Sequence, residues 1–267
     1  MNNTNRKNLI TISGFINFPK NFTEYSVANL SVPFNDERDS EKEPIWKYAR
    51  IKVSAKLSNA DFASLDKKRV EVTGYLSGEA FTVKSDKKNI AEDGSEHPSP
   101  DAGKDVTVPK IIVSKVTVLK QGEKGKNNVE LSTRLAFVEK VTEKLIVGQV
   151  SASFKAVSTD NAYKYVNIPF STSVSVGAGF KDGDVLTVSG FLKGNAFTPK
   201  PIEVKDADGN VVTTIQNKEV TNLKLVVMST SAIAPTSESA STPTPASNPV
   251  PETIAPEIDI DEDEIPF

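Results

Sequence analysis

VEVTGYLSGEAFTVK, at Val70–Lys84, returns later in the chain as LTVSGFLKGNAFTPK, at Leu186–Lys200. The two stretches align without a gap at an offset of 116, and eight of their fifteen positions are identical. Upstream, WKYARIKVSA at 46–55 aligns with YKYVNIPFST at 163–172 at an offset of 117. A repeat of this length has the size of a domain rather than of a solenoid unit. The sequence therefore predicts two tandem domains in its 267 residues, at 5–120 and 128–229.

Each domain is predicted to be built of strands, because β-branched and aromatic residues alternate with polar ones between turn signals. In the first domain the predicted strands are Leu9–Ile16, Tyr25–Val32, Ile45–Leu57, Val70–Leu76, Ala80–Lys84 and Val106–Leu119. A short helix with Ser58 or Asn59 as its N-cap follows the third strand. The equivalent VSVGAGFKDGD is rich in glycine, so its helix is expected to be short or lost. This order predicts an all-β chain of two tandem OB-fold barrels, each five-stranded.

Alternation along the third strand separates an inner from an outer face. The inner set is apolar and consists of Ala49, Ile51, Val53, Ala55 and Leu57. The outer set combines two aromatic rings with three cations: Trp46, Tyr48, Arg50, Lys52 and Lys56. In the second domain Val166, Ile168 and Phe170 are predicted to face inwards, and Tyr163, Tyr165 and Asn167 outwards.

Outward rings beside cations are what single-stranded nucleic acid requires, because bases stack on the rings while Arg and Lys meet the phosphates. The full set of candidate single-stranded DNA-binding residues is Phe34, Trp46, Tyr48, Arg50, Lys52, Tyr75, Phe81, Lys84, Phe154, Tyr163, Lys164, Tyr165, Phe191, Phe197 and Lys200. The alternative is that such rings pack under loops or at a subunit interface, and Phe81 and Phe197, each expected after a Gly-x-Ala hairpin, could instead plug a barrel. In the second domain Asn167 and Pro169 stand where Arg50 and Lys52 stand in the first. The second domain is therefore predicted to bind the nucleic acid more weakly than the first. The polar insert Ser85–Lys104 either covers the ligand or forms a disordered surface hairpin.

The composition argues against catalysis. The chain has no cysteine and one histidine, and no nucleotide-binding, nucleophile or metal-ligand motif is found. We therefore expect no enzymatic activity, no cofactor and no metal. The sequence has no apolar run of membrane-spanning length and no secretory signal pattern at its start, so a cytoplasmic protein without membrane contact is expected.

The end of the chain differs from the rest. A stretch rich in Ser, Thr, Pro and Ala predicts a disordered linker at 230–258, followed by an acidic tip at 259–267. Residues 231–267 carry eight acids and no Lys or Arg, so removing them from a chain of net charge −3 leaves +5 on residues 1–230. The tip, DIDEDEIPF, closes on apolar residues that a merely solubilising tail does not explain.

Several of these motifs resemble the bacterial single-stranded DNA-binding proteins. The matching stretches are NLITISGFINFPK, PIWKYARIKVSAKL, FASLDKKRVEVTGYL, KDADGNVVTTI and, most specifically, DIDEDEIPF. Two OB-folds in one chain resemble the family's two-domain variants, which implies a homodimer with four folds, located with the nucleoid in the cytoplasm. The resemblance implies that the tip binds replication, recombination and repair proteins. The partner-binding residues would be Asp259, Asp261, Glu262, Asp263, Glu264, Ile265, Pro266 and Phe267.

Two other functions stay open at this point. An RNA-binding OB protein would use the same stacking, and the sequence shows no reader of the 2′-hydroxyl group. A structural or carbohydrate-binding β-protein is the second alternative, because a fold does not determine a function.

Overall fold

The computed structural model describes residues 7–35, 45–90, 96–99, 101–155, 163–205 and 211–233. The first half of the chain contains strands β1 Asn8–Asn21, β2 Tyr25–Asn35, β3 Trp46–Lys56, β4 Arg69–Thr82, β5 Lys88–Ile90, β6 Glu96–Pro98 and β7 Asp105–Val118. The second half contains β8 Asn127–Lys140, β9 Leu145–Lys155, β10 Tyr163–Ser173, helix α1 Val174–Gly177, β11 Val185–Phe197, β12 Ile202–Lys205, β13 Val211–Ile215 and β14 Val220–Ala232.

Five strands of each half close into a barrel. In the first, β1 pairs with β2 and β4, β2 pairs with β3, β3 runs parallel to β7, and β7 returns antiparallel to β4. In the second, β8, β9, β10, β14 and β11 repeat this pairing, including the parallel pair β10–β14. The structure confirms the predicted all-β class and the closed five-stranded barrel of the OB-fold.

The barrel interiors follow the predicted alternation. Ala49, Ile51 and Val53 of β3 are buried, as are Val166, Ile168 and Phe170 of β10. Leu57 lies beyond the end of β3 and is only half-buried.

Two predicted elements of the first half were wrong. Val70–Leu76 and Ala80–Lys84 were separate in the prediction, but β4 is one continuous strand, because its ladder with β7 runs from Val70 to Thr82. The predicted helix after β3 is only a 3-10 turn, Ala63–Leu65. There Oδ1 of Asp61 accepts hydrogen bonds from Nδ2 of Asn21 and from the backbone N–H of Ala63, at 2.8 and 3.0 Å. The bond from Asn21 is the main cause that holds the pKa of Asp61 below its usual value.

Of the other two connections, one agrees with its prediction and the other is more ordered than the predicted disordered hairpin. Helix α1 has four residues, in agreement with the expected short helix. The insert after β4 contains a two-stranded hairpin, β5–β6.

The two barrels join along β1 and β8. The first part of β1 pairs antiparallel with β8, from Asn8 opposite Leu131 to Ile12 opposite Asn127, and the later part pairs with β2. The side-chain amide of Asn8 exchanges two hydrogen bonds with the backbone of Leu76, and Asn127 does the same with Leu192. The junction therefore has an approximate two-fold symmetry within a single chain.

Two phenylalanines pack reciprocally across this junction. Phe34 of the first barrel packs on Gly194 of the second, and Phe154 of the second packs on Gly78 of the first. Both rings are almost completely buried, at 6% and 7% exposure. The prediction that Phe34 and Phe154 stack on bases was therefore wrong, because both rings are covered by the neighbouring barrel.

Hydrogen bonds and ion pairs across the junction follow the same symmetry. Thr221 donates to the backbone carbonyl of Tyr48 at 2.9 Å, and Thr107 donates to that of Tyr165 at 3.1 Å. Lys47 pairs with Glu219 at 2.6 Å, and Lys164 pairs with Asp105 at 3.7 Å. The outer ends of β3 and β10 are therefore fixed by strands of the opposite barrel.

Gly194→Ala is expected to lower the free energy of unfolding by about 2 kcal/mol, the usual cost of overpacking. The added methyl group would lie 2.0 Å from Cδ1 of Phe34. Urea denaturation measures the change, with Gly179→Ala as control, since its methyl group would meet nothing within 4 Å. In a Phe34→Ala background the cost of Gly194→Ala should disappear. An equal cost in both backgrounds would contradict the proposed contact.

Candidate nucleic-acid interface

The outer face of β3 presents the predicted aromatic residues to solvent. Trp46 is 63% exposed and Tyr48 50%, and the side chain of Arg50 is also exposed. In an OB-fold the face of the second and third strands is the usual oligonucleotide-binding surface. The structure thus places Trp46, Tyr48 and Arg50 where a strand of nucleic acid could reach them.

Two further rings extend this surface across the first barrel. Phe15 of β1 meets Tyr48 edge to face, with ring centroids 6.4 Å apart. The guanidinium of Arg50 lies 5.5 Å from the centroid of the Phe18 ring. Phe15, Ser31 and Arg50 stand in one row across β1, β2 and β3. We call Phe15, Phe18, Trp46, Tyr48 and Arg50 the aromatic face.

Sequence reasoning missed both Phe15 and Phe18. Phe15 alternates with the core residues Ile12, Gly14 and Ile16, so the parity argument that was used for β3 could have found it on β1. Phe18 has no such signal, because parity alone would place it on the core face.

The second barrel presents a related surface with a different charge arrangement. Tyr163 is 71% exposed and Tyr165 62%. Asn167 occupies the place of Arg50, and its Oδ1 accepts a hydrogen bond from Ser151 at 2.6 Å. Arg134 of β8 is exposed in the row that also contains Ser151 and Asn167, and it occupies the place of Phe15. In the second barrel the cation of this row is therefore on the first strand, β8, whereas in the first barrel it is on the third strand, β3. The prediction of weaker binding by this domain did not take Arg134 into account, and it stays a prediction.

Lys52 does not contribute a solvated cation, contrary to the prediction. Its Nζ lies 3.0 Å from Oε1 of Glu79, and Nζ of Lys110 lies 3.6 Å from Oε2 of the same carboxylate. All three side chains are at most 18% exposed. The ammonium group of Lys52 is therefore engaged with Glu79, and strand periodicity cannot reveal such a tertiary partner.

Lys110 is the member of the cluster of Lys52, Glu79 and Lys110 whose ionisation is affected by burial. Burial lowers the pKa of Lys110, with the Glu79 carboxylate acting in the opposite direction and the Lys52 charge adding to the decrease. Oε2 of Glu79 has no hydrogen-bond partner among the described residues. The cluster holds two cations against one anion, so Glu79 is essential to its charge balance.

The remaining predicted residues lie away from β3. Tyr75, on the outer face of β4, is 47% exposed, and burial raises the pKa of its hydroxyl. Phe191 is half-buried on β11, where it lines a groove of about 520 Å³ together with Leu9 and Met228.

The two predicted Gly-x-Ala hairpins are absent. Phe81 and Phe197 lie near the ends of the continuous strands β4 and β11, where Phe81 is half-buried and Phe197 is 38% exposed. Lys84 and Lys200 are exposed just beyond these strands. Lys164 pairs with Asp105 across the junction and is one-third exposed.

The predicted linker and tip lie mostly outside the described residues. β14 continues to Ala232, and nothing after residue 233 is described, which includes every residue of the predicted partner-binding tip. Within the described ranges, no group of three or more His, Asp or Glu side chains could hold a metal ion. In the same part of the chain, no helix is long and apolar enough to cross a membrane.

No protein-family model and no curated protein matches the chain. Among solved structures it is similar to the wild-type single-stranded DNA binding protein from Thermus aquaticus, with 12% identity and a TM-score of 0.47 over 92% of this chain and 98% of that chain. A deletion variant of the same protein with one substitution gives 10% identity and a TM-score of 0.48, over 85% and 95%. The protein in both structures carries the name of the family that the sequence resembles.

Glu79→Gln is expected to lower the free energy of unfolding by about 3 kcal/mol at pH 7, because Lys52 and Lys110 then lie partly buried without their counter-ion. A lysine whose pKa is lowered in the folded state is penalised while charged, and the penalty decreases as pH rises through that pKa. The difference from wild type should therefore shrink toward pH 10 in urea denaturation. With Lys110→Met added, this pH dependence should become smaller, because only Lys52 then lacks its counter-ion. A cost that is constant with pH in the single variant would refute the explanation.

Proposed function

We propose that this protein binds single-stranded DNA with little sequence preference through the outer faces of its two barrels. The observation that carries the proposal is the aromatic face, where Trp46 and Tyr48 are at least half exposed beside Arg50. Exposed rings have a solvation cost, so an aromatic surface that both barrels share points to a ligand. Bases stack on any ring, which makes such binding tolerant of sequence.

The surface has few base-reading groups and several flat rings. Arg50 contributes an exposed cation to the first barrel, and Arg134 contributes one to the second, in the row that contains Ser151 and Asn167. This arrangement fits the coating of a flexible strand better than the reading of a duplex groove. The protein would act by binding alone, protecting the strand during replication, recombination and repair in the cytoplasm, without enzymatic activity, cofactor or membrane contact.

The C-terminal tip completes the proposed role. Residues 259–267 place five acids before Ile265, Pro266 and Phe267. Acidic residues can steer the segment toward a basic rim, and Phe267 can then enter an apolar pocket. We propose that the tip recruits replication, recombination and repair proteins to the coated strand.

Oligo-dT is expected to quench the fluorescence of Trp46, which is the only tryptophan in the chain. Affinity should decrease as salt increases, with a slope of about −0.7 in log K per phosphate contacted. Tyr48→Ala should weaken binding about tenfold, within the range for one stacked base. Val118→Ala removes a similarly exposed apolar side chain elsewhere and should leave the affinity unchanged.

The same titration tests the alternatives. Equal or tighter binding of a matched RNA oligomer would favour an RNA-binding protein. Affinity for oligo-dT that does not depend on salt, or no binding by the folded protein, would contradict the proposal and favour a structural or carbohydrate-binding role.

We also propose that two chains associate, so that four barrels act together. Leu9 and Met228 leave an apolar groove partly open beside the β1–β8 junction, at 49% and 61% exposure. Sedimentation equilibrium should give a mass of about twice 28.9 kDa. Met228→Glu should shift the protein toward the monomer, whereas Val118→Glu should not, and a wild-type monomer would contradict the proposal.

A further inference from the structure

Phe18 and Phe137 have an unfavourable backbone conformation. Both have φ of +52°, and among the non-glycine residues that the structure describes only Lys67 shares a positive φ. The left-handed region is disfavoured for L-residues with bulky side chains, and glycine would occupy it without that strain. The two phenylalanines lie 119 residues apart, at equivalent places on β1 and β8.

A β-bulge accompanies each ring. The register of β1 with β2 shifts between Asn17 and Lys20, and that of β8 with β9 shifts between Ala136 and Glu139. Regular alternation would turn Phe18 to the same side as the buried Ile12 and Ile16. Bulges redirect side chains, and here the rings are 66% and 70% exposed.

Both barrels thus combine two unfavourable features, a strained backbone and a large exposed apolar ring. The bulge can serve the barrel, because it bends the strand, but rings that are 66% and 70% exposed add little to the core. Their recurrence after the two halves have diverged indicates a role in contacting something outside the chain.

The surroundings of Phe18 indicate the chemistry of that contact. Arg50 lies 5.5 Å from its ring centroid, and Arg50 is also part of the row that contains Phe15. A ligand with a flat π-system and a nearby negative charge would fill this site, with its plane on the ring and its anion on the guanidinium. A nucleotide within a single strand has both parts.

We propose that Phe18 and Phe137 are base-stacking positions, one in each barrel, that lengthen the path of the bound strand from β3 across β2 to the bulge of β1 and its equivalent on β8. This inference rests on the proposed binding of single-stranded DNA. The two sites differ in charge, because Asn167 stands in the second barrel where Arg50 stands in the first.

Full-length Phe18→Gly and Phe137→Gly variants separate the role in binding from a role in folding. Glycine relieves the positive φ, so the urea midpoint should rise or stay unchanged. The affinity for oligo-dT should nevertheless decrease about tenfold for each variant, the size expected for one lost stack. Val118→Ala is the control for binding and should leave the affinity unchanged.

Fluorescence can report the contact directly. In a Trp46→Phe background, Phe18→Trp places the only tryptophan at the bulge, and oligo-dT should quench it. One outcome would overturn the inference alone: oligo-dT quenches Trp46 in the wild type, does not quench the tryptophan at position 18, and binds Phe18→Gly normally. The proposed function would then still stand. If the wild type does not bind at all, both fail. If the glycine variants turn dimers into monomers at unchanged affinity per chain, the rings form a protein interface and the inference is also overturned.

Discussion

The side chains of a small barrel strand have only two destinations, and this constraint governs the rest of the molecule. The interior accepts apolar groups that fill it, as Ala49, Ile51 and Val53 do on β3. A side chain with the opposite parity must face either solvent or a neighbouring barrel. What the protein can bind therefore depends on which outward residues the neighbouring barrel leaves uncovered.

The part of the site that alternation controls could be predicted from the sequence. The outward positions of Trp46, Tyr48, Tyr163 and Tyr165 follow from counting residues along regular strands, and the internal repeat gives each count an independent check. Phe34 was misassigned because the same count was not applied to β2, where it lies on the same face as the buried Leu30 and Val32.

Other features depend on contacts between distant segments. Neither the packing of Phe34 on Gly194 nor the pairing of Lys52 with Glu79 has a signal in either partner's local sequence. The bulge at Phe18 reverses the direction that periodicity assigns to it. The predicted short helix is a 3-10 turn whose first backbone donors are satisfied by the Asp61 carboxylate, and Ser58 and Asn59, the predicted N-caps, do not cap it.

The reciprocal packing of Phe34 on Gly194 and of Phe154 on Gly78 has a consequence for how the protein can change. In an association of two identical subunits, one codon change alters both copies of a symmetric contact. The free-energy cost of an unfavourable change is therefore incurred at both contacts. Covalent fusion of the halves removes this coupling, so each side of the junction can mutate alone while the other preserves the fit. The ionic cluster of Lys52, Glu79 and Lys110 occurs in the first barrel, and Pro169 and Asn195 stand in the second where Lys52 and Glu79 stand in the first. One half can thus carry an ionic cluster that its twin lacks.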